Sequence, residues 1–184
     1  MKITVKETAI FGMLGALMYA SKIIMEVLPN VHLIGVFTIA ITVVYRKKAL
    51  YPIYTYVLLV GISNGFATWW IPYLYQWTIL WGVVMLLPQK MPKKAKPIVY
   101  MVVNACHGFL FGTFYAPVQA LLFGLSFDGM INWIIVGLPW DFIHGVSNFF
   151  CAILIVPIIA ILRRLERNWD IRILCVVLLE KVLS

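Results

Sequence analysis

Asp141, His144 and Asn148 stand at i, i+3 and i+7 in an otherwise apolar stretch, so a helix sets all three on one face. Ionisable and amide groups are costly in such a setting, and they point either to a ligand cavity or to hydrogen bonds that tie helices together. Asn104 and His107, three apart in the preceding apolar stretch, stand where they can face the same space. Two readings stay open from the residues alone. In one, His144, Asn148 and Asp141 touch a ligand; in the other, Asp141 pairs with His144 or caps its helix and the group holds neighbouring helices. A second group gathers Asn64, Trp69, Trp70, Tyr73, Tyr75, Gln76 and Trp77. Trp and Tyr mark any membrane interface, yet this density also makes a flat wall for a planar ligand. Asn64, Trp70, Tyr73 and Gln76 are its candidate contacts, with Trp140 beside Asp141 and Gln119 as a further hydrogen-bonding group. Lys22 and Glu26 have the spacing of a helical ion pair, and His32 fits either loop solvent or the start of the next apolar stretch. No HExxH helix, carboxylate pair or phosphate-binding glycine loop accompanies these residues, so neither catalysis nor a bound metal is expected.

The elements that must position them are written in the composition. Of 184 residues, 63% are hydrophobic and 12% charged, where a soluble domain carries roughly a quarter charged. Lipid is the expected solvent. The net charge of +8 comes in short basic clusters between apolar runs, which is a topology signal and not a nucleic-acid footprint. Cys106, Cys151 and Cys175 match neither a zinc site nor a redox pair and read as packing residues.

Apolar stretches at 8–27, 31–45, 49–68, 70–87, 97–123 and 131–162 give an all-α bundle of about six transmembrane helices, the second rather short. Turn residues separate them at Pro29 and Asn30, at Arg46, Lys47 and Lys48, and at 88–92. The clusters Lys2 and Lys6, Arg46 with Lys47 and Lys48, Lys90 with Lys93, Lys94 and Lys96, and Arg163 with Arg164 and Arg167 fall on one side. The loops at 28–31, 64–70 and 124–130 carry no Lys or Arg, which places both termini in the cytoplasm and the polar residues in the outer half. The first stretch reads as a permanent span and not as a cleaved signal. One transmembrane domain over 1–167 is followed by a tail at 168–184, too short to cross, that reads as an interfacial helix or a disordered segment. No internal repeat is evident.

Small residues at Gly12, Ala16 and Ala20 share a face of the first helix and admit a close helix partner. Gly61 with Gly65, and Gly108 with Gly112, repeat the spacing and read as packing inside the bundle. Taken with the AxxxA pair Ala16 and Ala20, the run Leu138-Pro139-Trp140-Asp141 with His144 resembles the opening of the last helix in S components of energy-coupling factor (ECF) transporters. The likeness covers about residues 6–165; the tail has no counterpart in it. The resemblance implies an importer subunit that binds a vitamin-like ligand outside, contacts a transmembrane T subunit through Gly12, Ala16 and Ala20, and topples in the membrane. It also implies two ATPase subunits that use ATP, since no Walker motif is present here and no cofactor is expected in this chain. Candidate pocket groups are aromatic and neutral, which disfavours a strongly anionic ligand and leans towards a cobalamin-type or riboflavin-like heterocycle. Two other classes remain: a stand-alone carrier, which requires a polar path through the inner half, and a membrane assembly factor without a small ligand.

Overall fold

The computed structural model describes residues 3–167, so the expectations for Lys2 and for the tail at 168–184 lie outside the described residues. Every regular element among the described residues is helical: α1 (Val5–Met25), α2 (Ile34–Tyr45), α3 (Leu50–Asn64), α4 (Tyr73–Leu86), α5 (Ala95–Phe109), α6 (Phe111–Phe123) and α7 (Phe127–Cys151). Short 3-10 turns at Arg46–Ala49, Thr68–Trp70 and Ala152–Leu154 join or extend them, and the last leads into a further helical stretch over 155–167.

Among the described residues, three helices are long and apolar enough to cross a membrane: Val5–Met25, Ala95–Phe123 taken through its break, and Phe127–Arg167. By contrast α2, α3 and α4 have 12, 15 and 14 residues, a rise of roughly 18–23 Å at about 1.5 Å per residue. That is less than the hydrocarbon thickness of about 30 Å. The stretches expected at 31–45, 49–68 and 70–87 therefore contain shorter helices, because segments 26–33 and 65–72 are spent on turns. Phe127–Arg167 errs the other way. Its 41 residues would reach about 60 Å if straight, and Pro139 interrupts its hydrogen-bond ladder.

The helix α2 sits at the centre. Every residue from Ile34 to Thr42 is buried, as expected for a helix that is apolar on all faces and so has none to offer solvent. It packs against α4, α5, α1 and α7, while α1 lies along α3 and α5 along α7. Thr42 turns its hydroxyl back onto the Thr38 carbonyl at 2.6 Å, which hides one polar group where no water reaches.

Local chemistry fixes the ends. Thr4 and Glu7 form a reciprocal capping box at the start of α1, and Glu7 also pairs with Lys48. Gly124 closes α6 in the left-handed conformation at φ +64, and Ser126 caps α7 by accepting from the Gly129 amide. The α6–α7 link is thus three residues, shorter than the 124–130 loop expected.

One break was not expected. The fifth apolar stretch, read as a single helix over 97–123, parts at Leu110. The cause comes from α7: both carboxylate oxygens of Asp141 accept from the Gly112 amide, at 3.0 and 3.1 Å. Asp141 therefore caps the first turn of α6 and not its own helix, where it lies fifteen residues in. A Cβ on Gly112 would overlap that carboxylate, so glycine is what lets it approach.

Candidate functional site

Arg46, Lys90, Lys96 and Arg163 gather around one cavity at one end of the bundle. At the other end Lys22, Asn64, Trp69 and Tyr73 line an open cleft of about 320 Å³. This cleft is made by the last turns of α1 and α3 and the turn into α4. Lys22 reaches it already paired with Glu26 at 3.2 Å, so its charge is largely met before any ligand arrives.

Behind the cleft lies a ring cluster. Tyr73 meets Trp77 edge-on at 6.1 Å between centroids. Trp77 in turn faces His107 at 5.6 Å and His32 at 5.9 Å, and His32 stands 4.6 Å from His144. Phe111 closes the circuit against His144 at 4.9 Å and His107 at 5.9 Å. Such edge and tilted pairings suit ring quadrupoles, and they hold the side chains in place without saturating their nitrogens.

Hydrogen bonds define which atoms remain available. Asn104 donates Nδ2 to the Asn148 carbonyl at 2.8 Å, and Asn148 returns Nδ2 to the Asn104 carbonyl at 3.3 Å. These bonds fix the amide orientations, since a carbonyl can only accept. Gln76 donates Nε2 to the Phe111 carbonyl at 2.9 Å, and His107 Nε2 meets the Gln76 carbonyl at 3.1 Å. In its neutral form His107 therefore carries its proton on Nε2 and leaves Nδ1 as a bare acceptor.

Among the described residues, eight buried side-chain atoms have no hydrogen-bond partner: His32 Nδ1, Thr38 Oγ1, Gln76 Oε1, Trp77 Nε1, Asn104 Oδ1, His107 Nδ1, His144 Nε2 and Asn148 Oδ1. Buried polar groups are nearly always paired, and each exception costs about 1–3 kcal/mol. Four of the eight, on His32, Trp77, His107 and His144, belong to the ring cluster that meets the cleft through Tyr73, and that concentration asks for a physical reason. The set is rich in acceptors: Gln76, Asn104, Asn148 and His107 accept, while Trp77 donates and the Thr38 hydroxyl can do either. It complements a ligand that carries mainly O–H or N–H groups and holds no cation among its members to meet a strong anion.

The residues singled out from the sequence fall in several places. Asn64 and Tyr73 lie on the cleft; Gln76, Asn104, His107, His144 and Asn148 are buried behind it. Trp70 is engaged by the fold, its indole donating to the Val57 carbonyl at 2.9 Å, and Asp141 is engaged by Gly112. Trp140 is 58% exposed instead of buried among the others, and Gln119 is buried on α6. Gly12, Ala16 and Ala20 share the outward face of α1, with Gly12 meeting nothing within 4 Å, whereas Phe11, Gly15, Met18 and Ser21 face the bundle. Gly108 and Gly145 let α5 and α7 meet backbone to backbone, and Gly61 accommodates Phe66 and Trp70.

His32 is the contributor the sequence left undecided. Asn30 adopts φ +58, a left-handed turn that Asn tolerates, and Ser147 on α7 donates to its carbonyl at 2.9 Å. That tether folds segment 26–33 inward and lays His32 against His144. The signal available was its place one turn before a helix apolar on every face. Among the described residues no three His, Cys, Asp or Glu side chains are arranged to hold a metal ion. Comparison with protein-family models, with curated proteins and with solved structures finds no match.

Proposed function

We propose that this chain is the substrate-binding subunit of an ATP-driven importer of the energy-coupling factor type, a multi-pass protein of the cell membrane that captures a small heterocycle. In this reading the six apolar stretches cross as six passes, with the basic end and both termini in the cytoplasm and the cleft of Lys22, Asn64, Trp69 and Tyr73 outside. Gly12, Ala16 and Ala20 meet a transmembrane T subunit, and the ATP is spent by ATPase partners.

The observation that carries the reading is the set of partnerless buried polar atoms in and around the ring cluster, which meets the cleft through Tyr73. A purely structural core gains nothing from leaving them unpaired, whereas a binding site needs atoms in reserve. Ligand pockets span about 300–1,000 Å³, so a cleft of about 320 Å³ suits one fused-ring heterocycle better than a macrocycle. The riboflavin-like ligand therefore fits better than the cobalamin-type one. Its plane would lie against Trp69 or Tyr73, which pack edge-on on each other, and its N–H and hydroxyl donors would answer the buried acceptors once the ring cluster opens to admit it.

The reciprocal bonds between Asn104 and Asn148 favour, for those two residues, a share in holding α5 to α7, as an assembly factor without a ligand would also need. Substitution separates the roles. Against a panel of neutral heterocyclic vitamins with riboflavin among them, followed by tryptophan quenching, His144→Ala and Tyr73→Ala should each weaken binding about tenfold, the worth of one lost hydrogen bond or ring contact. Asn148→Ala should lower both affinity and melting temperature. Unchanged affinity in the first two variants would reduce the cluster to packing.

A further inference from the structure

The basic end of the bundle holds a second cavity, of about 340 Å³. Four cations border it from four separate parts of the chain: Arg46 after α2, Lys90 in the α4–α5 link, Lys96 in the first turn of α5, and Arg163 in the stretch 155–167. Among the described residues that line it there is no carboxylate. Its lining is mixed, more polar than apolar, with Val43, Val84 and Leu87 beside the buried ring of Tyr100 as the apolar part. Basic residues at a membrane surface normally point apart into water, so the convergence of four around one hollow calls for a ligand.

Arg46 is set there by construction. Its Nη2 donates to the Met85 carbonyl at 2.9 Å, and its own carbonyl accepts from the Trp81 indole at 3.1 Å. It does so at φ +54 and ψ −121, a backbone conformation that a long side chain rarely adopts and that must be held by its surroundings. Lys96 is half-buried, while Lys90 and Arg163 are exposed at the rim. The result is one cation held at the wall, one half-buried beside it and two exposed at the rim, an arrangement suited to a phosphate group.

We infer that this cavity binds a phosphate-bearing anion, with its charge on Arg46, Lys90, Lys96 and Arg163 and its apolar part on the Val43, Val84 and Leu87 wall. Two sources share that chemistry, the phosphodiester headgroup of an anionic membrane lipid and free phosphate; Val43, Val84 and Leu87 give the lipid a place for its apolar part. This site is separate from the cleft at the other end and does not depend on the importer reading.

The test uses the full chain in a neutral detergent, with native mass spectrometry counting bound dioctanoyl-phosphatidylglycerol, dioctanoyl-phosphatidylcholine or inorganic phosphate. Phosphatidylglycerol should bind at least tenfold tighter than phosphatidylcholine, and Lys90→Gln/Lys96→Gln/Arg163→Gln should remove that preference. The charge-matched Lys47→Gln/Lys93→Gln/Arg164→Gln variant, altered at exposed residues outside the cavity, should keep it. If inorganic phosphate binds as tightly as the lipid and is lost in the same variant, the site stands and its ligand is soluble phosphate. Should the triple variant not fold, Arg163→Gln alone, at an exposed side chain, should cost at least threefold. Equal binding of the two lipids without phosphate binding, equal losses in both triple variants, or no loss in either cavity variant would overturn the inference.

Discussion

Replacing Gly108 by valine should lower the melting temperature of the protein sharply and abolish ligand binding with it. A Cβ at this position would lie 2.8 Å from the Gly145 Cα, 2.9 Å from the Gly145 nitrogen and 2.8 Å from Asn148 Nδ2. Two of those neighbours are backbone, which cannot rotate aside, so α5 and α7 must move apart. Overpacking alone costs about 1–3 kcal/mol. The separation also breaks the two Asn104–Asn148 bonds, each worth about 1 kcal/mol. A total loss of about 3–5 kcal/mol is expected, read by thermal unfolding in detergent against Gly12→Val. Gly12 meets nothing within 4 Å, so its variant should unfold within about 0.5 kcal/mol of the parent. Matching melting curves for the two variants would mean that α5 and α7 do not meet at Gly108.

The double substitution Ala16→Trp/Ala20→Trp should do the opposite, leaving the isolated subunit intact while stopping transport. Both alanines are exposed on the outward face of α1, away from the Phe11, Gly15 and Met18 face that packs on the bundle. Helices in lipid associate by close packing of small residues and not by a hydrophobic drive, so two indoles hold a partner helix off the backbone. Expected results are ligand affinity within twofold of the parent, a melting temperature unchanged within error, and ATP-driven uptake in cells reduced to background. Uptake that survives would remove this face from the energy-coupling contact. Parallel loss of binding would show that the face belongs to the fold.

The helical class was legible because apolar runs and basic clusters alternate so strictly along the chain. The turn signals at Pro29 with Asn30, at Arg46 with its lysines, and at 88–92 all fall between helices. The helix spacing of Asp141, His144 and Asn148 correctly grouped three residues that are all buried. Less legible was what depends on distant parts of the chain. The break at Leu110 is made by the Asp141 carboxylate held on Gly112, 29 residues away from it in sequence, and nothing local to 97–123 reveals it. The inward turn of His32 likewise rests on Ser147, 117 residues along from Asn30. Composition could place Trp140 beside Asp141 but not say that the helix turns one ring outward and the other side chain inward. The α6–α7 link is a different matter: Gly124 and Ser126 are a helix stop and a helix start that local chemistry does announce.

The importer reading stands or falls on whether the partnerless polar atoms in and around the ring cluster meet a small molecule. Native mass spectrometry of the protein, purified in mild detergent from cells grown in rich medium, asks this directly. A single adduct of vitamin size, retained by the parent and lost in His144→Ala, is the predicted result. A protein that carries no adduct, takes up none of the neutral heterocyclic vitamins when they are added, and leaves His144→Ala indistinguishable from the parent would contradict it.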